Sequence, residues 1–402
     1  MTNLRIYFFF LVCFFIAACS PKIKRAPVPQ TVKTVPKEVI VKPEVKTLPK
    51  FTEAQISLLI PFNLNSLNLE TATKSQVERA DMAIDFYQGI KMGIDSAASF
   101  GLNFTLNVYD TRNDNSQLLN LTQKEILKNS HLIIGPVFPE GVKYLSNFSI
   151  RNDLPIVSPL AASKPSEFSN PKLISIVNHI DQHGEKLAAY LATKYSIVVL
   201  INPKKTEDEE FASPIKQFLT KNYPNLVVQE FASAYAFETR MIKSKKYAIV
   251  LCSSDPAFVT PTLDKLYKLA KMRANDCELY LFGHPNWVKQ NYNVAQLQAL
   301  NTIISTSYLV NYKEANVINF IKRYRQNFNF EPSEYSIKGF DIGFYFGKLI
   351  AKHGRNYLDF LVKDKYKGLH NSFNFSYDPL YGYYNKELML LQYKNLSLNL
   401  IN

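Results

Sequence analysis

The usual signatures of catalysis are missing from this sequence. There is no Gly-x-Ser-x-Gly elbow, no phosphate-binding glycine loop and no pair of acids on a recognisable scaffold. Nucleophilic hydrolysis and phosphate chemistry therefore lack their common carriers. The four cysteines form no Cys-x-x-Cys and do not have the spacing of metal ligands. The six histidines are scattered; only His179 and His183 stand four apart, with no third ligand beside them, which argues against zinc. No repeat of fixed period occurs. Neither a metal nor a cofactor is expected, and the expected role is binding, with no catalytic residue.

The apolar run Ile6–Ala18 is shorter than the roughly 20 residues a bilayer span needs. With Arg5 before it, it reads as a signal peptide over residues 1–18. It ends Ile16-Ala17-Ala18-Cys19, which resembles a bacterial lipobox. The resemblance implies cleavage before Cys19, acylation of that cysteine (palmitate among the chains) and anchoring to a membrane. Ser20 follows, where an aspartate would retain a lipoprotein at the inner membrane. The expected place is the periplasmic face of the outer membrane, before the inner membrane.

Residues 19–50 contain no glycine and no aromatic side chain, but a proline every few positions. Such a stretch cannot bury enough apolar surface to fold alone. It reads as a semi-stiff spacer rising about 3.1 Å per residue. Eight basic residues against Glu38 and Glu44 give it +6 of the chain's formal +13. The high charge is thus concentrated in a tether and is no argument for nucleic acid. The tether's lysines suit contact with anionic lipid or with peptidoglycan; they equally suit a linker kept solvated.

Beyond residue 50, short apolar runs alternate with helical-period segments. Ile56–Ile60, Phe104–Tyr109, Leu132–Ile134 and Pro155–Val157 read as strands. Gly89 and Gly93, four apart on a helix, allow close helix packing. The series restarts with a helix at 182–194, strands at 197–201, 226–231, 247–251 and 279–282, and a helix at 214–222. Thr260 with Pro261 reads as an N-cap and first helical position. Helices at 316–327 and 336–352 and a strand-rich tail follow. Two such series predict an α/β protein of two lobes with parallel sheets.

Cys252 closes one predicted strand and Cys277 opens the next. Strands joined by a helical crossover run parallel. At about 3.3 Å per residue the two thiols then lie more than about 10 Å apart, and a disulfide is excluded. Two free, buried thiols are expected.

Residues 56–163 resemble the type I periplasmic binding proteins, such as the branched-chain amino-acid receptors. The resemblance rests on the opening strand with Pro61, the Gly89/Gly93 helix, Val108-Tyr109-Asp110-Thr111, Ile133-Ile134-Gly135-Pro136 and Pro155-Ile156-Val157-Ser158-Pro159. It implies two Rossmann-like lobes joined by a three-strand hinge, with ligand in the interlobe cleft. The first lobe is expected over 51–176 and 306–376, the second over 177–305 and 377–402.

Ligand contacts are expected from Phe62 and Asn63, from Phe138, from Ser158, Ala161 and Ser163, and from Phe211, Ser253, Ser254, His284 and Trp287. Ser253-Ser254-Asp255 reads either as cleft lining or as capping. Trp287, the only tryptophan, reads either as a stacking platform or as packing within its own lobe. In the amino-acid receptors a hydroxyl after the third strand grips the ligand carboxylate; here that loop is Val137-Phe138-Pro139-Glu140. The acid expected after Leu279–Phe282 is also absent, the sequence being Gly283-His284-Pro285-Asn286-Trp287. A desolvated ammonium would lack its counter-charge, so a free amino acid is not the expected ligand. Two functions stay open. One is a solute receptor of the ABC-transporter type. The other is an outer-membrane lipoprotein that regulates a peptidoglycan synthase by protein–protein contact.

Overall fold

Every residue of the first strand from Ile56 to Ile60 is buried, as expected of a strand covered by helices on both faces of a parallel sheet. In this computed structural model the described residues are 51–401, apart from 65, 66 and 69. The signal segment, Cys19, Ser20 and the tether lie outside them. Residues from Phe51 onward form one unit.

The first lobe starts with β1 (Glu53–Ile60), β2 (Asn103–Asp110), β3 (Leu132–Ile134), β4 (Ile156–Ser158) and β5 (Leu173–Ser175). The second follows with β6 (Ile197–Ile201), β7 (Val227–Phe231), β8 (Lys245–Leu251), β9 (Cys277–Gly283) and β10 (Ile303–Thr306). The chain then returns to the first lobe for β11 (Lys365–Lys367), β12 (Ser372–Asp378) and β13 (Gly382–Asn385). It ends in the second with β14 (Met389–Lys394) and β15 (Ser397–Leu400). The sheet orders are β11-β12-β13-β5-β4-β3-β1-β2 and β15-β14-β10-β9-β8-β6-β7. Each sheet is parallel through its centre; β13 joins β5 in parallel and β14 joins β10 antiparallel, while the pairs β11–β12, β12–β13 and β14–β15 are antiparallel. Short turns link β11 to β12, β12 to β13 and β14 to β15, and a short turn can only return antiparallel.

Among the described residues three connections pass between the lobes: 176–179, 307–314 and 386–388. The third falls later than the expected switch at 377. β12 runs on to Asp378, turns at Gly382 (φ 84°) and returns as β13 beside β5. The first sheet therefore keeps the chain through Asn385.

Helices α1 (Lys74–Ala97), α2 (Asn115–Thr122), α3 (Glu125–Lys128) and α4 (Pro139–Arg151) belong to the first lobe. The second carries α5 (Ile180–Lys194), α6 (Thr206–Asn222), α7 (Ala234–Glu238), α8 (Pro256–Met272) and α9 (Val294–Ala299). Then α10 (Ala315–Phe328), α11 (Glu334–His353) and α12 (Leu358–Leu361) complete the first. α1 and α11 meet backbone to backbone. A Cβ on Gly89 would lie 2.0 Å from the Ser336 carbonyl oxygen, and one on Gly343 2.5 Å from that of Ile90. α8 begins at Pro256, not at Pro261. The Asp255 carboxylate accepts the Ala257 N–H, and Pro256 takes a first-turn position, a stronger start than Thr260-Pro261 five residues on.

Cys252 and Cys277 are free and buried. β8 and β9 are parallel neighbours with Lys245 opposite Cys277 and Leu251 opposite Gly283, so the two thiols sit at opposite ends of the strand pair.

Candidate functional site

The parallel strands of both sheets deliver their C-terminal ends to one cleft, of about 780 Å³. The loop after β3 contributes Val137 and Phe138, and the loop after β4 contributes Leu160 and Ala161. From the second lobe come Ser254 after β8 and His284, Asn286 and Lys289 after β9. The hinge supplies Asn178, Ser307 and Tyr308, the end of β10 supplies Thr306, and α11 supplies Tyr335, Lys338 and Ile342. This is where open α/β sheets place ligands.

Of the residues expected from sequence, Phe138, Ala161, Ser254 and His284 line the cleft. The others are placed elsewhere. Phe62 packs on the first-lobe core, edge-on to Tyr87. The Phe62 and Asn63 N–H groups both point to the Asp110 carboxylate, at 3.0 and 3.3 Å. Ser158 is buried at the end of β4, and Ser163 lies outside the cleft lining.

Phe211 is fully buried in the second-lobe core. The helix around it starts at Thr206, eight residues before the expected Pro214, which turns Phe211 onto the buried face. Trp287 is likewise fully buried. Its ring lies against Gly283, where a Cβ would come within 2.2 Å of it, and its Nε1–H donates to the Ser253 carbonyl at 3.0 Å. Ser253 is buried beneath it, and its hydroxyl accepts the Asp255 N–H at 3.2 Å. The packing and capping alternatives hold for these residues.

His183, one of the two histidines that stand four apart, ties helix to hinge. One ring nitrogen contacts the Ser305 hydroxyl at 3.0 Å and the other the Ser307 hydroxyl at 3.3 Å. Both hydroxyls can serve a neutral imidazole as donor or acceptor. Burial, with His284 and His179 nearby, holds His183 down to about 3, and burial holds His284 at about 4. Both are neutral hydrogen-bonding groups at ordinary pH. Among the described residues no cluster of metal-ligating side chains is present.

On the other wall, Lys338 reaches the cleft from α11. Its side chain is 13% exposed and pairs with Glu334 at 3.3 Å. Its ammonium lies 4.9 Å from the Tyr308 ring centroid and 5.1 Å from that of Tyr335. The Tyr308 ring stacks on His370 at 4.5 Å. Beneath it the buried Asp341 carboxylate accepts the N–H groups of Leu369, His370 and Asn371 at 2.8, 2.8 and 2.9 Å, which fixes the turn carrying Asn371 into the cleft. A sequence signal for Lys338 existed: it stands four residues before Ile342, on the face that continues through Tyr345 and Leu349, where an apolar residue is the rule.

No family model matches this sequence, and no curated protein matches it. Solved structures do match the fold. An ABC-transporter substrate-binding protein from Desulfitobacterium hafniense, in complex with Leu, aligns over 87% of this chain and 100% of its own, with a TM-score of 0.52 and 12% identity. A branched-chain amino-acid ABC-transporter periplasmic ligand-binding protein from Burkholderia xenovorans aligns over 87% and 94%, with a TM-score of 0.55 and 12% identity. Full-length LpoA from Haemophilus influenzae aligns over 87% of this chain but 59% of its own, with a TM-score of 0.55 and 11% identity. The chain has the two-lobed α/β fold of the type I periplasmic binding proteins.

Proposed function

We propose that this chain is a lipid-anchored protein of the cell envelope that holds a small molecule, other than a free amino acid, between its two lobes. The observation that carries the reading is the cleft itself. Both lobes and the hinge line it, and its polar groups (Asn178, His183, Ser254, His284) converge among apolar walls, the usual make-up of a small-molecule site. The loop after β9 brings Lys289 into the cleft, where binding an amino-acid ammonium calls for an acid. In this reading Phe138, Ala161, Ser254 and His284 touch the ligand, and closure of the lobes about the hinge accompanies binding.

Cys19 carries the lipid in this reading, and the basic tether spans from the outer membrane toward the wall. Among the described residues no helix is long and apolar enough to cross a membrane. Cys19→Ala is expected to shift the protein to the soluble fraction or leave it unprocessed. A normally processed, membrane-bound variant would refute the anchor.

Native mass spectrometry of the protein purified from its own membranes tests the cleft: a retained small molecule is expected. Micromolar heat-detected binding of any common amino acid would overturn the exclusion. The likeness to LpoA favours a second reading, in which the same module regulates a cell-wall synthase by contact. An empty cleft together with co-purification of such a synthase would decide for it.

A further inference from the structure

Lys338 is a cation set into a mostly apolar wall. An ammonium removed from water is stable only if its charge is balanced and its donors are used. It has three donors. Glu334 accepts one at 3.3 Å, and this carboxylate is itself 37% exposed. The faces of Tyr308 and Tyr335 flank the charge, as aromatic rings do for cations.

The loop after β9, on the second lobe, brings no acid to the cleft. It presents Lys289, exposed at the cleft rim. The charged groups that act on Lys338 are Glu334, which favours its protonation, and Lys289, which opposes it, while burial lowers its affinity for the proton most. His183 and His284 are neutral and add no charge. Glu207 and Glu210 also line the cleft, but on the exposed first turns of α6. Two ammonium groups from opposite lobes, of which only Lys338 has a carboxylate partner among the described residues, leave a place for a negative charge between them.

We propose that the ligand carries an anionic oxygen group, a carboxylate or a phosphate ester, held between Lys338 of the first lobe and Lys289 of the second, with its body against Tyr308 and Tyr335. This rests on the reading of the cleft as a ligand site. An anion that both lysines grip binds the closed arrangement better than the open one, and so drives closure.

The test uses the full chain in mild detergent and a set of compounds matched in carbon skeleton: carboxylates, phosphate esters, neutral amides and amines. Thermal stabilisation finds the binders and titration calorimetry ranks them. The expected binders are anions, and the carboxylate and phosphate arms tell the two sources apart. Lys338→Met should weaken them by about tenfold or more, the effect of losing one charge-assisted bond, and Lys338→Arg should keep most of the affinity. Should Lys338→Met fail to fold, the exposed Lys289→Met carries the same expectation. Neutral or cationic binders, or anions whose affinity survives both Met variants, would overturn the inference and leave the cleft a ligand site. If nothing in the set binds and native mass spectrometry finds no retained molecule, the ligand-site reading fails, and this inference fails with it.

Discussion

The side-chain amide of Asn178 donates to the backbone carbonyl of Asn385 at 2.8 Å, and the Asn385 amide donates back to the Ile176 carbonyl at 3.2 Å. The pair joins the first interlobe crossover to the third. Asn385 also donates to the Ser372 carbonyl at 3.0 Å, and its side-chain oxygen accepts the N–H groups of Asn374 and Glu387 at 3.0 and 3.1 Å. One buried side chain thus satisfies four backbone groups where three segments meet.

Asn385→Ala leaves those four groups without their partner. Each buried orphan costs about 1–3 kcal/mol before water returns, so a loss of about 3 kcal/mol in unfolding free energy is expected. Urea denaturation measures it. A loss under about 1 kcal/mol would mean that water replaces the amide freely and that the crossovers are not held by it.

Much of the architecture was legible because it is local. β1, β8 and β9 are short apolar runs, and their alternation with helical periods fixes a parallel sheet whatever the distant contacts are. The site was less legible because it is not local. Phe211 and Trp287 are large aromatics near cleft loops, and sequence alone does not say which way they turn. A helix that starts at Thr206, and a ring seated on Gly283, turn both inward. The His183 contacts to Ser305 and Ser307 span more than a hundred residues, and no spacing rule finds such a pair. Lys338 was findable, as a cation on an apolar helical stripe.

The α1–α11 contact predicts a graded response to alanine. Gly89→Ala puts a methyl 2.0 Å from a backbone oxygen, which only separation of the helices relieves. A loss of at least about 3 kcal/mol is expected, the upper end of overpacking effects. Gly184→Ala on α5 meets its nearest atom, a side-chain carbon of Ile215, at 3.2 Å. There the helical gain of alanine, about 1 kcal/mol, offsets a small repacking, so near-neutral stability is expected. Equal effects at the two sites would refute the close packing of α1 on α11.

The two thiols predict a simple count. Burial raises the Cys252 thiol well above its usual range, and it is the thiolate that reacts. The Cys277 thiol faces the Ile242 carbonyl oxygen at 3.2 Å. In denaturant without reductant both should react with a thiol reagent; in the folded protein Cys252 should react orders of magnitude more slowly. A monomer with no titratable thiol among these two would contradict the parallel register of β8 and β9.

Acid should loosen the fold between pH 6.5 and 4. His183, His284 and His370 are held by burial at about 3, 4 and 3, whereas in the unfolded chain a histidine titrates near ~6.5. Below that value the unfolded state binds more protons than the folded one, so stability is complete above about pH 6.5 and falls as the pH drops toward 4. Each histidine contributes a slope of about 1.4 kcal/mol per pH unit in that window. Asp341 opposes them. Burial raises its carboxyl to about 6 against three backbone donors, so it takes up its proton more readily in the folded state, and its contribution shrinks as pH rises through 6. Three groups against one leave a net loss in acid. Urea midpoints at pH 7.5, 6 and 5 should decline in that order, and His183→Gln, which cannot charge, should flatten the decline by nearly half, since Asp341 cancels about one of the three histidine slopes. A stability constant from pH 7.5 to 5 would mean that the cleft opens to water and lets these histidines titrate as they do in the unfolded chain.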